Sequence, residues 1–494
     1  MLANLNAITS TPLPAASSGR RWWRACHGAW QADWRERRRD WRVWLVLGLG
    51  MLLAICAGVL AAVDLQGTLD ARQVAAQAER ERWEHQGAKN PHSAAHYGVY
   101  VFKPLAALAA LDPGVERYVG SSVWLEAHKQ NELVYRPASD EPGASRQFRL
   151  TPALLLQVLA PVAMIFLGFG MFAAERERGT LPALRVNAAP LGAIGVARAA
   201  VLLCLAGVIA LPACAAVALV ELRGGGAEPF TDGAARVALF GIGYLLYLAT
   251  WAALVTAVSA WAPTMRASLG VLVALWAATT LVLPRAAVEL AQSTAPLPTM
   301  QQFRERVDTD LGMPDDPAEA ERHKQQILKD YGVRDVSELP VNWAGISLAR
   351  GEAHGNRVFD RHYSALFDAM ARQSDAVALG GWLSPTVAVA GLSSYVAGSD
   401  TASHIQFVRG AESQRRRIQT VLNDAITSHP ERDGKKYEGD AALWRSVPPF
   451  RFTYAPIEWS HLMLTRLLPL LALLAASTLL ARLGVRRLRL GSLQ

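Results

Sequence analysis

Residues 175–181, Glu-Arg-Glu-Arg-Gly-Thr-Leu, place four alternating charges, a glycine and a hydroxyl between two long apolar runs. Such a segment can hold a rigid charged turn at a membrane face, but it contains neither a nucleophile nor a phosphate cradle. Other chemistry-bearing residues are sparse. His92 and His96 stand four apart, the spacing that on a helix would present two imidazoles for Cu or Zn. Pro91 before them, Gly98 behind them and the strand-like residues from Val99 argue against a helix there. Surface or hydrogen-bonding histidines are therefore the expectation, and no metal site is assigned. Cys26, Cys56, Cys204 and Cys214 form no CxxC or Cys/His zinc pattern, and the last three lie in apolar runs as small hydrophobes. The only Gly-Lys pair, Gly434-Lys435, lacks both the upstream glycine and the following hydroxyl of a phosphate-binding loop. No GxSxG nucleophile motif occurs, and the runs at 150–172 and 191–220 hold no carboxylate of the kind proton-coupled carriers use. The expectation is a chain that is not an enzyme, with no catalytic residue and no cofactor of its own.

What positions the charged segment is a set of apolar runs. The chain has 494 residues, 51% of them hydrophobic and 19% charged, with a mean hydropathy of +0.15. That is too apolar for an ordinary soluble protein, and the apolarity is unevenly spread. The net charge of +8 does not point to nucleic acid, because the arginines flank apolar runs instead of forming one basic face. The run 44–63 is long enough to cross a bilayer. Arg20, Arg21, Arg24, Arg35, Arg37, Arg38, Arg39 and Arg42 precede it, which places the 1–43 tail in the cytosol. A cleaved leader would carry its apolar stretch nearer Met1, so this span is read as retained. Residues 1–19, rich in Ala, Ser and Pro, are expected to be disordered.

Five more spans follow at 150–172, 191–220, 234–261, 267–283 and 461–480, and the tail 481–494 with Arg482, Arg486, Arg487 and Arg489 returns to the cytosol. The fold class expected is a polytopic α-helical membrane protein with six transmembrane helices and both termini cytosolic. Arg198, near the start of the third span, is expected to snorkel to the cytosolic interface. Gly168, Gly170, Gly241 and Gly243 are expected to allow close helix packing.

Two polar insertions lie on the other side by this topology. Residues 64–149 read as a helical extension of the first span over 65–87, with Glu79 to Glu84 as a solvated face. Strands at 99–102, 121–125 and 132–135 follow, making a small mixed α/β unit. Residues 284–460 read as mainly helical, with helices at 299–310, 317–331, 343–374 and 404–427. Within them the apolar stretch 378–398 carries Gly380, Gly381, Pro385 and three serines, and reads as a helix lying along the outer membrane interface. The two insertions make up more than half the chain. Ten of the eleven histidines fall on this side or at its boundary with the spans.

The segment Glu175, Arg176, Glu177, Arg178, Gly179, Thr180, Leu181, set directly after an apolar span and followed by Pro190 and another span, resembles the ERE-x-GTL pattern of type-2 ABC transporter permeases. The resemblance implies that 173–190 contains a coupling helix docking into a separate cytosolic ATP-binding subunit, with Glu175, Glu177, Arg178 and Leu181 as the docking surface. ATP and Mg would belong to that partner. It also implies an exporter-like permease subunit that pairs with a second protomer, homo- or heterodimeric, in a bacterial cytoplasmic membrane. The segments His96–Pro104, Asp112–Asn131 and Trp382–Asp400 look like parts of a permease subfamily with large extracytoplasmic insertions. That subfamily is similar to the permease accompanying copper-site maturation of nitrous oxide reductase. The alternative is a machine that uses ATP to move its outer domains against an envelope partner or a metal site without translocation.

Overall fold

The computed structural model describes residues 18–140, 149–182, 190–222, 230–312, 317–430 and 436–490. The expected disorder before residue 18, the second half of the 173–190 segment and the centre of the loop after the third span lie outside these residues. Six helices among those described are long and apolar enough to cross a membrane: Trp41–Glu84, Pro152–Glu177, Leu191–Pro212, Gly233–Trp261, Met265–Thr294 and Trp459–Leu488.

The chain begins with α1 (Ser18–Arg39), a basic helix that lies against the third span and the end of the second. Asp40 then caps α2 (Trp41–Glu84), its carboxylate accepting from the backbone N–H of Arg42 at 3.0 Å. This helix runs for 44 residues without a break. Its apolar half is the first span. Its charged half continues beyond the bundle because the residues there, largely Ala, Arg, Glu and Gln, are strong helix formers. The expected solvated face of this half is partly engaged: Arg82 pairs with Glu79 and donates to the Gly98 carbonyl at 2.8 Å, and Arg80 donates to the Val447 carbonyl at 2.9 Å.

Three spans share one irregularity. A π turn occupies Leu155–Leu159 in the second, Ala278–Val282 in the fifth and Met463–Leu467 in the sixth, and each is followed two residues later by a proline, Pro161, Pro284 or Pro469. Proline lacks the N–H that would bond the carbonyl four residues back. In the second span that carbonyl is Gln157, and Tyr247 of the fourth span donates to it at 2.5 Å, while the Trp276 indole serves the Val158 carbonyl at 3.2 Å. Backbone freed inside an apolar bundle thus finds a side-chain partner.

The two insertions fold as one unit. In the first, α3 (Pro91–Tyr97) leads into an antiparallel sheet of order β1 (Val99–Phe102), β2 (Ser122–Glu126) and β3 (Lys129–Gln130), with Val99 opposite Leu125 and Val101 opposite Val123. The strand expected at 132–135 is reduced to one bridge between Ser122 and Val134, because Tyr135 adopts a left-handed conformation (φ 56°) that ends the pairing. In the second, the helices Met300–Leu311, Pro317–Tyr331, Trp343–Leu379 and Thr401–Thr427 match the sequence reading to within a few residues. Val101, Val123 and Leu125 of the sheet share a core with Phe407, Ile418 and Trp444 of the second insertion and Trp83 at the tip of α2. Trp83 donates to the Trp444 carbonyl and the Trp444 indole to the Gly87 carbonyl, each at 2.9 Å.

The stretch 378–398 departs from its expectation. Its helix, Pro385–Ala397, is buried on nearly every side, packing against the fourth span and touching the fifth and sixth, instead of lying along an interface. Its hydroxyls find partners inside the bundle: Ser384 donates to the Thr279 carbonyl at 2.5 Å, Thr386 meets Thr280 at 3.1 Å, and Ser393 meets Tyr244 at 3.1 Å. Gly243 permits the contact with Leu392, since a Cβ at this position would stand 2.5 Å from that side chain; Gly168 does the same for Val255. Gly241 has open space around it.

Candidate functional site

At the end of the bundle that carries α1, the second span breaks at Phe169 and re-forms as the single helical turn Ala173–Glu177. The break is held by Ser259 of the fourth span. Its buried hydroxyl accepts from the backbone N–H of Phe172 (2.9 Å) and Ala173 (3.2 Å) and donates to the Phe169 carbonyl at 2.9 Å. Ser268 of the fifth span donates to the same carbonyl at 2.7 Å. Ser259→Ala would leave two amides buried without a partner, so it is expected to cost roughly 1–3 kcal/mol, read as a lowered melting temperature of the detergent-solubilised protein. An unchanged melting temperature would show that those amides are served elsewhere.

The charged residues of the turn then divide into two sets. Glu175 faces inward and pairs with Arg198 of the third span, which also donates to the Met171 carbonyl and lies 3.8 Å from Asp33 of α1. Asp33 in turn holds Arg37 at 2.6 Å, and Arg37 donates to the Leu167 carbonyl at 2.8 Å. Arg198, expected to snorkel, is thus the tie between the turn, the third span and α1. Arg176 reaches the fourth span, donating to the Ala260 carbonyl at 2.6 Å and to that of Ala262. The Glu177 carboxylate accepts from the backbone N–H of Met265 at 3.0 Å, at the first turn of the fifth span, where a negative charge also favours the helix dipole. Leu181 is buried.

Of the four residues expected to form a docking surface, the structure therefore turns Glu175 and Leu181 inward and leaves Glu177 and Arg178 exposed, together with Gly179 and Thr180. Gly179 is the residue that allows this shape: its φ of 70° reverses the chain, so that the Thr180 N–H and hydroxyl return to the Glu175 carbonyl. The seven residues form one continuous knob, clamped from beneath by four spans and α1. The clamp itself was missed in the sequence because Asp33, Arg198 and Ser259 are isolated polar residues with no shared spacing.

A second cluster sits in the opposite unit, where His92 and His96 were weighed as ligands. The helix doubted there exists: Asn90 caps it, accepting from the His92 N–H at 3.0 Å, Pro91 takes the first helical position where its missing N–H costs nothing, and Gly98 (φ 60°) ends it. Residues taken as helix breakers are its start and stop. The rings of His92 and His96 lie 4.8 Å apart, and His128 joins them at 5.1 and 5.2 Å. His128 occupies the second position of the two-residue turn between β2 and β3 with φ 57°, a conformation that costs a non-glycine residue roughly 1–2 kcal/mol. Its Nδ1 lies 2.6 Å from a carboxylate oxygen of Glu352, a buried residue of the Trp343–Leu379 helix. That hydrogen bond lifts the His128 pKa above its ordinary value, whereas burial, with the neighbouring imidazoles, lowers that of His92. Nothing in the sequence pattern links His128 to the other two.

The fold and the knob define a multi-pass helical membrane protein with a clamped, exposed turn at one end of its bundle. Residues 30–331 match the model of the ABC-2 family transporter proteins, so the chain belongs to this family, whose members are permease components that in general work with an ATP-binding subunit. Residues 298–453 match a domain of unknown function (DUF3526), which covers most of the second insertion. No curated protein and no solved structure matches the chain.

Proposed function

We propose that this chain is the membrane subunit of an ATP-driven, exporter-like transporter, and that the knob at 175–181 receives the movement of a separate cytosolic ATP-binding subunit. The observation that carries the reading is the division of the knob. Glu177, Arg178, Gly179 and Thr180 are exposed to a partner, while Glu175, Arg176 and Leu181, with Glu177 through the Met265 N–H, are fastened to the bundle. A push on the exposed part is delivered to the second, third, fourth and fifth spans and to α1 together, as a rigid-body displacement. The π turns beside Pro161, Pro284 and Pro469 are the places in three spans where such a displacement can be absorbed by bending. In this reading the knob end is cytosolic, the α3 unit lies outside, two protomers form the pathway, ATP and Mg belong to the partner, and the membrane is a bacterial inner membrane. Native purification of the chain in detergent is expected to bring down an ATP-binding subunit in stoichiometric amount, with ATP hydrolysis in the complex. A chain that purifies alone at natural expression levels would overturn the assignment.

A second reading is that ATP moves the outer unit against an envelope partner or a metal site without passing a substrate. It is favoured by one observation: both insertions share a core around the tip of α2, an uninterrupted helix that starts beside the knob-bearing end. The likeness to the permease of nitrous oxide reductase copper maturation belongs with this reading. Substrate flux in vesicles holding the complex supports the first reading; an ATP-dependent distance change in the outer unit without flux supports the second.

A further inference from the structure

We infer that His92, His96 and His128 form a binding site for a late first-row divalent cation, Zn2+ or Cu2+, in the outer unit. The three imidazoles come from α3 and from the β2–β3 turn, and one ligand nitrogen from each lies within 4.8 Å of the others. Nitrogens around a tetrahedral ion at 2.0–2.1 Å stand about 3.3 Å apart, so the nitrogens need to approach one another by at most about 1.5 Å to hold it. Three imidazoles are the donor set of Zn2+ and Cu2+; Mg2+ and Ca2+ require oxygen ligands.

Glu352 strengthens the assignment because it does what a carboxylate behind a metal-bound histidine does. With Nδ1–H of His128 directed to Glu352, the lone pair is left on Nε2, the ring is fixed in orientation and its basicity is raised. Glu352 is itself held in place, accepting from Gln419 and lying 3.8 Å from Arg415, so the orienting group is part of the buried framework of the unit and not a mobile surface side chain. It also supplies the negative charge nearest the three rings. Lys436 supplies an opposing one.

His96 and His128 are exposed and His92 is half-buried. A cation held by three nitrogens here keeps one position open to water or to a ligand from another molecule, the condition of an exchangeable or reactive site and not of a closed structural one. The helix that carries two of the ligands also touches α2: Arg82 donates to the carbonyl of Gly98, the residue that ends α3, and its guanidinium lies 4.4 Å from the centre of the Tyr97 ring.

The test uses the full chain, purified in detergent through a tag without histidine, stripped with chelator and titrated with Zn2+ alone and, in parallel, Cu2+ alone. One ion per chain, bound at micromolar concentration or tighter, is expected. His128→Asn removes a ligand while keeping the left-handed turn, which asparagine accepts; stripped, it should remain folded, with a melting temperature lowered modestly by loss of the Glu352 bond, and bind at least ~100-fold more weakly. Glu352→Gln should weaken binding about 10–100-fold while leaving the stoichiometry at one. Binding only at millimolar metal, a stoichiometry well below one, or undiminished binding in both His128→Asn and His96→Gln would overturn the site and leave a packed cluster of imidazoles. The readout needs neither ATP nor the partner subunit, so its failure and that of the transporter reading are separable.

Discussion

Charge exchange at the exposed knob, Glu177→Arg with Arg178→Glu, is expected to abolish stimulation of the partner's ATPase while leaving the membrane body assembled. Both side chains are exposed, and among the described residues only one bond to the bundle, the Glu177 contact with the Met265 N–H, is lost. That contact supports a helix N-terminus and is worth about 0.3–1 kcal/mol, too little to unfold a six-span bundle. At a docking interface, by contrast, placing like charges opposite one another costs several kcal/mol. ATP hydrolysis by the reconstituted complex and the amount of ATP-binding subunit retained on the purified chain should both fall at least ~10-fold, with the melting temperature of the membrane subunit preserved. Retained coupling would remove the knob from the docking surface. Glu175→Lys is the less informative variant, because it also breaks the Arg198 pair and sets a new positive charge against Arg198. Loss of function there would report collapse of the clamp as readily as loss of docking.

Trp444→Ala is expected to be the most destabilising single change in the outer unit. The side chain is fully buried, its ring meets Trp83 edge-on at 6.3 Å, and its indole N–H serves the Gly87 carbonyl at the bend after α2. Truncating a buried tryptophan costs roughly 3–5 kcal/mol, and here the cavity opens at the seam between the two insertions and the helix. Limited proteolysis should release the second insertion from the variant under conditions where the wild-type unit survives, while the spans, whose core is separate, stay folded. Trp444→Phe, which keeps most of the volume and loses the hydrogen bond, is expected to cost less. If Trp444→Ala left protease resistance unchanged, the seam would not depend on this residue.

The spans were legible because crossing a bilayer demands long apolar runs, and composition reports that demand directly. What composition could not report was where a helix stops. The fifth span was read to residue 283 and its helix continues to Thr294, because chain that has left the apolar layer can stay helical on amphipathic sequence. The stretch 378–398 was misplaced for a related reason. Its three serines, with Gly380, Gly381 and Pro385, argue against a buried helix in sequence, yet Ser384 and Ser393, like Thr386, bond to carbonyl and hydroxyl groups of neighbouring helices, and a hydroxyl on its own does not reveal which solvent it will meet. The union of the two insertions was hidden too, since only the fold brings Trp83 to Trp444. In the knob the residue types were readable and their directions were not: alternation of charge in 175–178 says nothing of which carboxylate finds Arg198.

The α2 helix has a consequence for the scale of motion in this molecule. At 1.5 Å per residue its 44 residues form a lever arm about 66 Å long. Near its base Gly50 lies against Ile209 of the third span so closely that a Cβ would come within 2.9 Å, which makes this contact a natural fulcrum. A tilt of about 5° around such a point swings the far tip, about 51 Å away, by roughly 4 Å. A displacement at the base too small to unpack the bundle would then arrive at the Trp83 seam and the α3 histidines multiplied severalfold, as through a gear.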